Sequence, residues 1–105
     1  MDDFNKDYSL PKYQKLISKF ATQRGFDKET LSQKFMLLLE ETGEFAKAAR
    51  KDSGIVIDDS SKKHAVEEEA ADVFWVLIDL CNSLGIDLPE AFSDKEKKNK
   101  SRTWN

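Results

Sequence analysis

A chain of 105 residues with a formal net charge of −3 and one cysteine has room for a single domain, residues 1–105, with a small core that gains from burial against a second copy. The lone Cys81 excludes an intramolecular disulfide, and the acidic balance speaks against a general nucleic-acid binder, which carries a basic face. No apolar run reaches the roughly 20 residues of a membrane span, and Met1-Asp2-Asp3-Phe4 has neither the basic start nor the apolar stretch of a signal peptide, so the expectation is a cytoplasmic protein with no nucleic-acid or membrane partner.

Four helical segments are predicted. The first spans about Leu10 to Arg24, with Ser9 as N-cap, Pro11 in the first turn and an apolar stripe of Leu10, Tyr13, Ile17, Phe20 and Ala21; Gly25 ends it. The second starts near Asp27 to Thr30 and runs to about Lys51. Its stretch Phe35-Met36-Leu37-Leu38-Leu39 is apolar all round, the pattern of a helix covered on most sides, and marks it as the central helix of a bundle. Lys51 to Lys63 is rich in turn formers around Ile55-Val56-Ile57 and reads as a loop packed on the bundle. The third helix spans about Lys63 to Leu84, with Val66, Ala70, Val73, Phe74, Leu77, Leu80 and Cys81 as its apolar residues, and Gly85 closes it. Asp87-Leu88-Pro89-Glu90 has the form of a capping box with proline in the first turn, opening a charged fourth helix to about Lys100. The fold class is all-α, with a four-helix bundle-type core.

Two acidic motifs stand out, Glu40-Glu41-x-x-Glu44 and Glu69-x-x-Asp72. Residues three apart on a helix project about 60° from one another, so each pair can aim two carboxylates at one point. A solvated acidic face is the ordinary explanation of such runs, but it calls for basic partners four residues on. Glu44 follows Glu40, Phe45 follows Glu41, Asp72 follows Glu68 and Val73 follows Glu69; only Glu44 has a lysine in reach, Lys47. Glu41 also shares its side of the helix with Leu37, Leu38 and Phe45, and Glu69 shares its side with Val66, Val73 and Val76. Ionised carboxylates facing an apolar interior cost several kcal/mol each unless a cation holds them. Oxygen-only ligands select a hard ion, with Mg²⁺ the usual choice beside phosphate. Gly43, inside the first motif, costs the helix about 1 kcal/mol relative to alanine and reads as a point where a backbone or ligand comes close.

Leu39-Glu40-Glu41-Thr42-Gly43-Glu44-Phe45 followed by Glu68-Glu69-Ala70-Ala71-Asp72-Val73 resembles the MazG-like all-α nucleotide pyrophosphohydrolases, marked by EExxE on one helix and ExxD on the next. The turn Leu84 to Ala91 and the pattern Lys95-x-x-x-Asn99-x-x-Arg102-x-Trp104 extend the likeness, whose layout from Phe20 to Trp104 is similar to the dCTP pyrophosphatase branch. The resemblance implies a dimer or tetramer that hydrolyses an NTP or dNTP to the monophosphate and pyrophosphate, as in nucleotide pool cleaning. It implies Mg²⁺, with Mn²⁺ as substitute, on Glu41, Glu44, Glu69 and Asp72. It implies Glu40 as the residue that orients or deprotonates the attacking water, and Lys95, Asn99 and Arg102 at the phosphates or sugar. Where the dCTP-like branch commonly carries tryptophans near the base, this chain reads Arg24-Gly25-Phe26, leaving Phe26 as the aromatic candidate. Trp75 reads as core or subunit interface, and His64 as a surface residue.

Three other readings compete. Phosphoribosyl-ATP pyrophosphohydrolases carry similar acidic motifs on the same fold. A non-catalytic helical interaction module would keep the fold without the chemistry. A di-iron carboxylate bundle needs Glu-x-x-His pairs, and the chain holds one histidine and no such motif.

Overall fold

The computed structural model describes residues 5–54 and 60–102, with side chains for 5–50 and 65–102. Four α-helices follow in order, α1 (Leu10–Gln23), α2 (Leu31–Gly54), α3 (Ser60–Ser83) and α4 (Leu88–Lys100), with a 3₁₀ turn at Phe26–Lys28 between the first two. Ile55-Val56-Ile57, Trp104 and the His64 side chain lie outside the described residues.

Local chemistry accounts for the boundaries. Ser9 caps α1 by accepting from the Lys12 amide, with proline in the first turn. Gly25 then takes a left-handed conformation, φ 81°, which an L side chain rarely adopts. Thr30 and Gln33 cap α2 reciprocally: the Gln33 amide donates to Thr30 Oγ1 at 3.1 Å, and the Thr30 amide donates to Gln33 Oε1 at 2.8 Å. Gly85, φ 70°, ends α3, and Asp87 accepts from the Glu90 amide to open α4. The 3₁₀ turn splits off what the sequence suggested as the start of the second helix. The helices flanking the expected loop also reach further than expected, to Gly54 and back to Ser60.

The main packing is α2 against α3, with α1 across α3 and α4 against α1. The central helix is therefore α3, a correction to the expectation for α2. Its buried face, Val76, Ile78, Asp79, Leu80 and Cys81, serves two neighbours at once, and Ile78 is fully enclosed. From α1 come Leu16, Ile17, Phe20 and Ala21. A knot of amides ties α1 to the α3–α4 turn. Gln14 Nε2 donates to Asn82 Oδ1 and the Ile86 carbonyl, Asn82 Nδ2 donates to the Gln14 carbonyl, and the Leu88 amide donates to Gln14 Oε1.

The apolar run on α2 is covered on one side only. Phe35 is 47 % exposed, Met36 62 % and Leu39 73 %. An all-round apolar helix needs cover on several sides, and this chain supplies one. No described helix is long and apolar enough to cross a membrane.

Candidate metal and nucleotide site

The acidic motifs meet across the α2–α3 seam. Glu41 of α2 and Glu69 and Asp72 of α3 each bring a carboxylate oxygen within 4.8 Å of the others. The i, i+3 spacing of Glu69 and Asp72 puts both on the helix face turned to α2. Glu41 and Glu69 are half-buried and Asp72 is exposed, so the group sits where the seam opens to solvent. Glu44 and Glu40 are exposed on α2 and stand outside this group of three, although the charge of Glu44 reaches Glu41.

Crowding shows in the protonation of Glu41. Its carboxyl is held above the ordinary value of 4.5, first by burial, then by the negative charges of Asp72 and Glu69, a hydrogen bond with Glu69, and the charge of Glu44. Glu69 Oε2 is buried with no hydrogen-bond partner. Such an oxygen is a costly orphan by itself and an available ligand for a cation. Three hard oxygen donors on a narrow opening, one of them orphaned, fit a divalent ion of the Mg²⁺ class.

Next to the carboxylates lies a cavity of about 340 Å³ lined by Arg24, Phe26, Leu37, Glu41, Asp72, Trp75 and Val76. Its lining brings two carboxylates, two aromatic rings and one guanidinium together. Phe26 and Trp75 meet there edge to face, with ring centroids 5.3 Å apart and planes at 63°. The Arg24 guanidinium carbon lies 5.0 Å from the Phe20 ring centroid and 6.0 Å from that of Trp75.

Phe26 lines this cavity together with Glu41 and Asp72. Trp75, for which the sequence suggests core or subunit interface, is half-buried and lines the same cavity. Its signal was there: it stands three residues after Asp72 and so shares a face with it. Arg24 carried no such signal, because it ends α1 and meets Trp75 only through the packing of α1 on α3. Lys95 and Asn99 lie on α4, and Arg102 just beyond it; α4 packs on α1, and none of the three lines the cavity. Asn99 Nδ2 donates to Glu96 Oε1 at 3.1 Å. Gly43 stands in the open, with no described atom within 4 Å of where a Cβ would sit, so no other part of the described chain makes the close approach expected there.

No curated protein matches the chain. A family model does: that of the MazG nucleotide pyrophosphohydrolase domain, over residues 28–105, which takes in both acidic motifs and the helices that carry them. The chain belongs to the MazG nucleotide pyrophosphohydrolase family.

Proposed function

We propose that the protein hydrolyses a nucleoside or deoxynucleoside triphosphate between its α and β phosphates, releasing the monophosphate and pyrophosphate, in a single domain spanning residues 1–105. The observation that carries this reading is the three-carboxylate group of Glu41, Glu69 and Asp72, of which Glu41 and Asp72 line a cavity shared with the rings of Phe26 and Trp75. A triphosphate needs charge compensation at one end, and its base needs an apolar face at the other.

Glu41, Glu44, Glu69 and Asp72 would hold Mg²⁺, with Mn²⁺ able to replace it. The ion, when bound, neutralises triphosphate charge and serves as a template for the phosphates. Glu40 is exposed beside Glu41, where its carboxylate can orient a water and accept its proton. The water oxygen bonds to the α-phosphorus, the α–β bridging P–O bond breaks, and pyrophosphate leaves with that electron pair. Phe26 gives the base a surface to pack on. Lys95, Asn99 and Arg102 would stabilise the phosphates or sugar, and because α4 stands apart from the cavity within one chain, the partner's α4 is the better placed source.

A homo-oligomer, dimer or tetramer, goes with this reading. Phe35, Met36 and Leu39 present an uncovered apolar face on the helix that carries Glu41, and large exposed apolar patches mark interaction surfaces. Clearing unwanted nucleotides from the pool is the role such chemistry serves.

The test is incubation of purified protein with NTPs and dNTPs, with and without Mg²⁺, and chromatographic identification of products. Monophosphate and pyrophosphate, abolished by chelation and by Glu41→Gln, are expected. Mg²⁺-dependent thermal stabilisation without cleavage would point to a substrate such as phosphoribosyl-ATP. Neither cleavage nor a metal response would leave a non-catalytic helical module.

A further inference from the structure

We infer that Arg24 selects the base, favouring nucleotides whose base presents two adjacent hydrogen-bond acceptors on one edge; this rests on the pyrophosphohydrolase reading above. Arg24 caps the C-terminus of α1, Gly25 turns the chain through a left-handed conformation, and Phe26 opens the 3₁₀ turn. Arg24 at the end of α1 and Phe26 after the turn line the same cavity, where Trp75 meets both. The guanidinium rests on the Phe20 and Trp75 rings, and no described carboxylate forms an ion pair with it. Its N–H donors are therefore uncommitted beside the aromatic wall.

With the phosphates at the carboxylates, the base packs on Phe26 and Trp75, and Arg24, in contact with the Trp75 ring, meets that base. A guanidinium only donates, and its planar fork fits two acceptors side by side. Guanine offers O6 and N7 in that arrangement, and cytosine offers O2 and N3. Adenine, thymine and uracil set a donor beside each acceptor on the edges away from the sugar, which the fork cannot satisfy. Arg24 is exposed, so its donors discriminate as far as the bound base covers them, a wrong base then leaving them unpaired.

The experiment measures kcat/KM for dATP, dCTP, dGTP and dTTP with Mg²⁺ on the wild type, Arg24→Met and Arg24→Lys. The wild type is expected to favour dCTP or dGTP by about tenfold or more, the discrimination of one bidentate contact. In both variants the loss should fall on the favoured substrates and bring the ratio toward one, the lysine failing because it keeps the charge and loses the fork. Quenching of Trp75 fluorescence by dCMP, dGMP, dAMP and dTMP, with Trp75→Phe to separate the signal from Trp104, reads selectivity without chemistry. If nothing is hydrolysed but dCMP or dGMP binds preferentially and Arg24→Met removes the preference, Arg24 is the selector and the reaction reading falls. If the four triphosphates are cleaved with equal efficiency, or Arg24→Met slows them all alike, hydrolysis stands and the role of Arg24 is overturned. No cleavage and no quenching would overturn both.

Discussion

Lys34 and Asp79 form a buried ion pair one heptad away from Glu41 and Asp72 on the same α2–α3 seam. Lys34 Nζ lies 3.2 Å from Asp79 Oδ2 and also donates to Ser83 Oγ at 2.8 Å. The offsets, 41 − 34 and 79 − 72, are both seven, so the two pairings run antiparallel and stand about 10 Å apart along the helices. Leu37 and Val76 fall between them, both lining the cavity. A compensated charge pair thus sets the register in which the uncompensated carboxylates meet.

Removing one partner from this pair leaves a charge buried alone. Lys34→Met should lower stability by about 3–5 kcal/mol in urea denaturation, and the double variant Lys34→Met/Asp79→Leu should recover most of the loss. A single-variant loss within about 0.5 kcal/mol, as at an ordinary surface site, would show that the pair does not hold the seam.

The raised pKa of Glu41 makes stability depend on pH in a defined direction. The folded state keeps its proton to higher pH than the ordinary 4.5 of the unfolded chain. Its contribution is therefore fully present below 4.5 and is lost as pH rises through the folded value. Thermal scans in chelator should show this decline, and Glu41→Gln should flatten it. Mg²⁺ needs the ionised carboxylate, so the stabilisation it confers on the wild type should grow over the same interval.

Leu39 tests the uncovered face of α2. On a monomer, Leu39→Lys would change stability by less than about 0.5 kcal/mol. With a second copy covering it, the substitution should convert an oligomer to monomer in sedimentation and lower Tm. The wild-type Tm should rise with protein concentration.

Gly43→Ala separates folding from ligand approach. A Cβ there meets open space, so the substitution should stabilise the chain by about 0.5–1 kcal/mol, or roughly 4 °C in Tm. Retained hydrolysis would leave the glycine without a functional part. A stabilised variant with lost activity would mean that substrate or a second copy comes close at this point.

Helix number, the caps at Ser9 and Asp87, the stops at Gly25 and Gly85 and the shared face of Glu69 and Asp72 were all legible in the residues. Each depends on neighbours within about one helical turn, where spacing alone fixes geometry. The missing basic partners around Glu41 and Glu69 marked these carboxylates as candidate ligands, and three of the motifs' carboxylates do gather. Tertiary packing decided what lies further apart: that α3 rather than α2 is central, that Lys34 finds Asp79, and that Arg24, Phe26 and Trp75 converge beside Glu41 and Asp72. An apolar helix face states that it wants cover without saying which helix, or which copy, supplies it. Arg24 ends α1 and Phe26 follows one left-handed glycine, and that both meet Trp75 appears only when α3 is in place.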